Sequence, residues 1–357
     1  MIDNNLELIR DLTNANGISG FEGEVVETAG KYISGNLEFK VDSMKNAFIS
    51  LKGNTGKRPV VMVDAHSDEI GFMVQSITAN GLIKFIAIGG WHGSNVPSHA
   101  VRIRTSNGGY VKGITTSKPP HFMSEAEKKA APDIDNLFID VGAVSREEVV
   151  DVFGIEVANP VIPDVSFLYN EKNGIIRAKA LDNRIGCACE VALMNELSEE
   201  TPGVDVTGAI STQEEVGLRG AEVTSNVIKP DIAIVFEGTP ADDVYTDKYA
   251  CQAGLKKGPQ FRHRDGSMII HPGFLAFART VAAETGIPFQ DAVRAGGGTD
   301  GGKIHLAHRG VPTIVIGVPV RYIHSHYGYC AYEDFENSIK LAKAIIMRLD
   351  SDVIASL

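Results

Sequence analysis

Long apolar runs are absent from this sequence. No stretch approaches the roughly 18–20 apolar residues of a membrane-spanning helix, so no membrane partner is expected. Basic charge is also scarce. The 34 Lys and Arg stand against 45 Asp and Glu, a net charge of −11 with no basic stripe, which argues against a nucleic acid partner. Only four cysteines occur, Cys187, Cys189, Cys251 and Cys330, and none forms a Cys-x-x-Cys pair. They are expected to be free, buried thiols rather than zinc ligands or disulfides. The opening Met1-Ile-Asp-Asn-Asn-Leu6 has neither a basic segment nor an apolar core, so no signal peptide is expected and a cytoplasmic location is. No internal repeat or low-complexity segment is evident.

One apparent motif fails on a missing residue. Gly297-Gly-Thr-Asp-Gly-Gly-Lys303 fits part of a phosphate loop, but Ile304 stands where Ser or Thr is needed to hold Mg²⁺. What remains is an ordinary globular composition, 43% hydrophobic and 22% charged, in a chain long enough for two domains.

Against that plain background, five apolar runs end in polar chemistry. Val204 to Ile210 reads as a buried strand followed by Glu214 and Glu215. Neighbouring side chains at a strand end point different ways, so one carboxylate can hold a metal while the other reaches its water. Pro59-Val-Val-Met-Val-Asp-Ala-His-Ser-Asp68 ends in His66 and Asp68, two apart and on one side of an extended segment. Asp68 is therefore placed to hydrogen-bond the His66 ring nitrogen that faces away from a metal. Asp182 lies between a strand-like run and a helix-like run, Ile185 to Leu197, where it also suits a helix N-cap. Asp231-Ile-Ala-Ile-Val-Phe-Glu237 ends in a carboxylate before Gly and Pro. The run from Val311 reaches about Gly317, and its following loop carries His324.

A Glu-Glu pair alone is commonly a solvated surface feature, and a lone His a surface turn. The repeated pattern of buried strand followed by His, Asp or Glu is what singles these residues out, since ligands of α/β sheets bind outside the carboxyl ends of strands. His66, Asp182, Glu215, Glu237 and His324 supply two imidazoles and three carboxylates. That donor set suits two divalent cations such as Zn, Co or Mn and leaves Glu214 free as general base. Glu69 is expected to point away from His66.

The chain resembles the dinuclear metallo-aminopeptidases of glutamyl aminopeptidase, tetrahedral aminopeptidase and endoglucanase M. The resemblance runs nearly end to end, through Asp64-Ala-His-Ser-Asp-Glu-Ile-Gly71, Lys118-Pro-Pro-His121, Ala180-Leu-Asp-Asn-Arg184, Thr212-Gln-Glu-Glu-Val-Gly217, Gly297-Gly-Thr-Asp300 and Arg321-Tyr-Ile-His-Ser325. It implies that His66 and Glu237 hold one metal, Glu215 and His324 the other, and that Asp182 bridges them. It implies Glu214 as catalytic base, Asp68 as support for His66, and Gly297, Gly298 and Thr299 beside the substrate. Glu237 departs from the family, where aspartate is more usual. The implied activity is removal of N-terminal residues from peptides by metal-assisted hydrolysis. The rival classes are a glycoside hydrolase, which uses carboxylate pairs without metals, and a non-catalytic peptide or metal carrier.

The expected fold is α/β. Residues 3–14 and 22–34 show helical spacing, 38–51 reads as a hairpin, and 333–349 as the last helix. Short alternating strands between about 70 and 165 read as a compact β-rich unit, with a capping box at Ser145-Arg-Glu-Glu148 and a mobile surface loop in Lys118-Pro-Pro-His121 and the polar stretch Ser124 to Asp133. His66 precedes this unit and the other metal-type residues follow it. The expectation is therefore a zinc-aminopeptidase-like α/β sandwich with a mixed sheet, residues 1–69 and 166–357, interrupted by a β-rich insertion, 70–165. The resemblance assigns that insertion to oligomer assembly, in dimers or twelve-subunit particles.

Overall fold

A computed structural model describes residues 4–357. The chain begins with helices α1 (Asn4–Asn14) and α2 (Gly23–Gly30), then the hairpin β1 (Leu37–Val41) and β2 (Ala47–Leu51). Residue 3 lies outside the described residues, and α2 ends at Gly30, short of the expected 34. Strand β3 (Val60–His66) follows and is buried from Val61 onward.

Six strands then close a barrel: β4 (Gly71–Ile77), β5 (Ile83–Ile88), β6 (Ala100–Arg104), β7 (Tyr110–Thr116), β8 (Phe138–Asp140) and β9 (Pro160–Pro163). Their inward residues form a separate core around Phe72, Val74, Phe85, Val101, Ile103 and Val161. The stretch read as a mobile loop contains a short helix, α3 (Glu125–Lys129). Its capping box is complete, with Ser124 Oγ accepting from the Glu127 amide and Glu127 returning to the Ser124 amide. At Ser145 the expected box is half made. Ser145 Oγ accepts from the Glu148 amide, but the Glu148 carboxylate takes the Val144 amide instead.

After the barrel the chain returns through β10 (Leu168–Asn170) and β11 (Ile175–Ala178) to α4 (Leu181–Leu197), β12 (Asp205–Ser211), α5 (Arg219–Ile228) and β13 (Ile232–Pro240). It continues through β14 (Gln260–Arg264), α6 (Pro272–Thr285), β15 (Gln290–Val293), α7 (Gly301–Ile304), β16 (Thr313–Val320), β17 (Gly328–Ala331), α8 (Tyr332–Ile346) and α9 (Ser351–Ser356). The expected last helix to 349 is thus two, because the chain turns after Ile346 and Asp350 caps α9 through the Val353 amide.

The main sheet has eight strands in the order β1-β2-β12-β3-β13-β16-β14-β15. Its four central strands are parallel, while β2 pairs antiparallel with β12 and β14 antiparallel with β16, so the sheet is mixed. The central strands are apolar throughout because helices cover both faces. One face packs Val61, Ile234 and Ile316 among α1, α4 and α8 residues. The other packs Met62, Val235 and Val315 with Ala221 of α5 and Ile304 of α7. Parallel pairing sets Ser211 beside His66 and Glu237 beside Gly317. The ends that carry the polar residues therefore gather at one edge. No described helix is long and apolar enough to cross a membrane.

Where the chain leaves the β3 end for the barrel, Gly71 is closely surrounded. A Cβ there would lie 2.3 Å from Ile18 Cγ2 and 2.6 Å from the Val161 carbonyl oxygen. Gly71→Ala is expected to destabilise the protein by about 1–3 kcal/mol, the cost of overpacking. Denaturant unfolding monitored by circular dichroism checks this.

Candidate metal centre

His66 ends β3, and its ring faces three carboxylates. His66 Nε2 lies 3.3 Å from Asp182 Oδ1, 3.4 Å from Glu237 Oε1 and 3.7 Å from Glu214 Oε2. His324 Nε2 lies 3.5 Å from the other Asp182 oxygen and 3.6 Å from Glu215 Oε2. Two groups with metal-ligating geometry result among the described residues: His66 with Glu214 and Glu237, and Asp182 with Glu215 and His324. All five expected ligands and Glu214 thus converge, although up to 258 residues of sequence separate them. Asp182 sends one oxygen to each histidine.

Local structure explains each placement. The helix-cap reading of Asp182 is replaced by its neighbour. Asn183 Oδ1 accepts from the Gly186 amide, while Asp182 and Asn183 depart from helical geometry and turn the Asp182 carboxylate into the site. His324 sits in left-handed backbone and its Nδ1 lies 2.7 Å from the Gly90 carbonyl of the barrel side. Gly90 is needed there, since a Cβ would approach His324 Nδ1 to 2.8 Å. Asp68 is buried and joins three segments. It accepts from the Glu214 amide at 2.9 Å, the Glu215 amide at 3.1 Å and Ser19 Oγ at 2.6 Å, and one oxygen lies 3.4 Å from His66 Nδ1. Glu69 points away, into a buried ion network with Lys179 and Arg184.

The electrostatics follow from crowding. Burial and the Asp182 charge raise Glu215 to about 8. Burial also raises Glu214 and Glu237, against the pull of His66. Burial alone would lower His66, but Glu214, Glu237 and Asp182 outweigh it and hold the ring well above its usual range. The hydrogen bond to Asp182 raises His324 to about 10. Burial would raise Asp182 too, yet the two imidazoles keep it below the usual carboxylate range. Without cations this site stores protons on groups that must lose them to become ligands. Oxygen and imidazole donors with mutually repelling carboxylates crowded together fit divalent cations.

A cleft of about 540 Å³ opens onto these groups. Gly297 and Gly298 line it with Arg262 and Arg294, whereas Thr299 is buried behind and does not.

Compared with known proteins, the sequence profile of M42 glutamyl aminopeptidase matches residues 46–341. The chain belongs to the M42 peptidase family. It is a hydrolase, an aminopeptidase of a metal-dependent family. A second profile, AMPT, matches residues 3–27. The putative aminopeptidase FrvX of Escherichia coli is 34% identical over 98% of this chain and 96% of its own. The glutamyl aminopeptidase of Lactococcus lactis is 31% identical over 98% of each. The crystal structure of a TET aminopeptidase from a marine sediment archaeon, a Thaumarchaeota archaeon, superposes with a TM-score of 0.95 at 36% identity, covering 99% of both chains.

Sequence reasoning missed the groups that support the site. Asp64, Asp300 and Glu190 are buried acids, and burial raises all three. Asp64 was visible inside an apolar run, the one signal that marked it. Glu22 had none, because its partner is a backbone amide 191 positions away. Its Oε1 accepts from the Gln213 amide at 3.1 Å and the Gly20 amide at 2.7 Å, while Oε2 is buried without a partner among the described residues. Gln213 is left-handed, so this bond helps to set the direction in which Glu214 leaves the strand.

Glu22→Ala is expected to lower kcat by roughly 10²-fold, the cost of about 1 Å of misplacement, with metal content retained. Glu22→Gln keeps an acceptor and should recover most of it. Steady-state kinetics with metal analysis checks both.

A second expectation concerns pH. Glu215 keeps its proton in the chelated folded state between its ordinary 4.5 and about 8, and His324 between its ordinary 6.5 and about 10. The folded state then binds more protons than the unfolded one, so stability falls as pH rises through these windows. Divalent cations should raise the unfolding temperature more at about pH 9 than at about pH 5, because they replace those protons. Thermal unfolding of chelated and metal-loaded protein at both values measures this.

Proposed function

We propose that this aminopeptidase works with two divalent cations, Zn, Co or Mn, in which His66 and Glu237 hold one, Glu215 and His324 hold the other, and Asp182 bridges. The observation that carries this reading is Asp182, whose two oxygens face the two histidines separately. Glutamate at 237, where aspartate is more usual, still offers its oxygen 3.4 Å from His66 Nε2.

The cations would polarise the scissile carbonyl and acidify a water. Glu214 takes the proton of the attacking water and passes it to the leaving amine nitrogen, general base and then general acid. Its burial supports that role, because a raised carboxyl takes up the water's proton more readily near neutral pH. Asp68 holds the Glu214 and Glu215 amides and orients His66. The carboxylate-rich wall suits the free ammonium of a peptide N-terminus, and Gly297 and Gly298 let backbone approach the substrate.

The reading extends to organisation. Residues 1–69 and 166–357 are the catalytic unit, and 70–165 the insertion through which subunits assemble. A homo-oligomer is supported by the solved PhTET1, described as a dodecamer, at 27% identity and a TM-score of 0.85. Peptides are the substrates, and the location is cytoplasmic. The first residue preferred is left to experiment, since a glutamyl and a lysyl aminopeptidase are both similar to this chain.

The test is a panel of aminoacyl anilides, including leucyl and glutamyl substrates, assayed after chelation and after adding Zn²⁺, Co²⁺ or Mn²⁺. Restoration by metal is expected. Polysaccharide hydrolysis that survives chelation would instead favour a glycosidase, the activity attached to a similar Thermotoga maritima structure described as an endoglucanase. Glu214→Gln is expected to keep both cations and lose about 10²–10⁴-fold in kcat, read by metal analysis beside kinetics. Loss of metal in that variant would make Glu214 a ligand instead.

A further inference from the structure

A second cleft adjoins the catalytic one, and nothing in the proposed reaction uses it. Its volume is about 540 Å³. Ser94, Asn95 and His99 from the barrel side face Tyr245, Tyr322 and Tyr327 from loops of the main sheet. Pro240 and Ile323 line both cavities. A peptide anchored by its first residue at the carboxylates would pass from one cavity to the other over these two side chains.

The lining selects for ring chemistry. Among the described residues it contains no Asp, Glu, Lys or Arg. His99 stacks on the buried His326, with ring centroids 4.1 Å apart and planes at 18°, and Trp91 backs His326 at 4.9 Å. Tyr327 stands 5.7 Å from His99, and Tyr245 meets Tyr322 edge-on at 6.3 Å. Tyr245, Tyr322 and Tyr327 are 73%, 42% and 39% exposed, so their faces are open to a ligand. The wall is also preformed. Ser325 Oγ lies 2.7 Å from the Tyr322 carbonyl oxygen and 3.0 Å from that of Tyr327, which closes the turn. Left-handed backbone at Tyr322 and His324 lets this single turn offer His324 to one cavity and tyrosines to the other.

We propose that this cleft is the subsite for the peptide beyond the scissile bond, and that it takes an aromatic side chain one or two residues after the first. An extended residue spans about 3.3–3.6 Å, and Pro240 and Ile323 line both cavities, so the residues just after the first reach this border. A charged side chain there would lose water and find no partner. The proposal rests on the aminopeptidase reading.

The test uses metal-loaded enzyme and substrates sharing the first residue X that the anilide panel favours: X-amide, X-Gly-Gly, X-Phe-Gly, X-Gly-Phe and X-Glu-Gly. Peptides with Phe are expected to exceed X-Gly-Gly in kcat/KM by about three- to tenfold, the worth of one or two good ring contacts, with X-Glu-Gly lowest. In His99→Ala and Tyr327→Ala the Phe-to-Gly ratio should fall towards one, mainly through KM. Equal kcat/KM for Phe and Gly peptides in the unaltered enzyme overturns the proposal. So does a uniform loss across all substrates in both variants, which marks a purely structural role. A variant that fails to fold is replaced by Tyr245→Ala, whose ring is largely in solvent. Hydrolysis of X-amide without any Phe preference sinks the subsite alone, whereas no hydrolysis of any substrate with any cation sinks the aminopeptidase reading beneath it.

Discussion

The buried Asp68 carboxylate is the contact on which the rest of this site depends. It accepts the amides of Glu214 and Glu215, takes the Ser19 hydroxyl and faces His66 Nδ1. Three segments, the loop after α1, the end of β3 and the end of β12, are thereby locked to one anion. Burial by itself would raise this carboxyl, and the hydrogen bonds from His66, Ser19 and the Glu214 amide hold it ionised instead. Charge-assisted bonds of this kind are roughly twice as strong as neutral ones. The same group that orients a histidine therefore also aims two carboxylates, and the geometry of both metal-type groups follows from it.

Around that anchor the protein concentrates more acid than it can leave charged. Glu214, Glu215 and Glu237 are raised by burial, and His66 and His324 by the acids beside them. Such crowding costs stability in a folded chain and is most simply resolved by bound cations. The supporting structure is correspondingly rigid. Asn183 caps α4 and bonds β13 backbone, Glu22 pins the Gln213 amide, and the Gly90 carbonyl of the barrel side holds His324. The barrel thus takes part in the site. Its Gly89 and Gly90 come so near Glu215 and His324 that side chains there would collide with the site or its packing.

The candidate metal-centre residues were legible because they end or follow apolar runs. A carboxylate or imidazole at the end of a buried run is unfavourable unless it has work to do, so His66, Glu215 and Glu237 stood out by contrast with what preceded them. The supporting residues gave no such contrast. Glu22 lies in a polar stretch, and its bond to Gln213 is to backbone, which leaves no trace in residue type. The Ser124–Asp133 stretch is exposed, as its charge suggested, and it also holds a short helix whose end Ser124 and Glu127 satisfy together.

Composition, strand periodicity and polar strand ends by themselves determined the α/β class and marked the candidate donors, since these are local consequences of burial and side-chain chemistry. Tertiary structure decided the pairing. Only the parallel register of β12, β3, β13 and β16 brings the ends together, and only the turn at Asp182 divides one carboxylate between two histidines. Distances between residues far apart in sequence depend on how sheets pair and pack, and no local pattern encodes them.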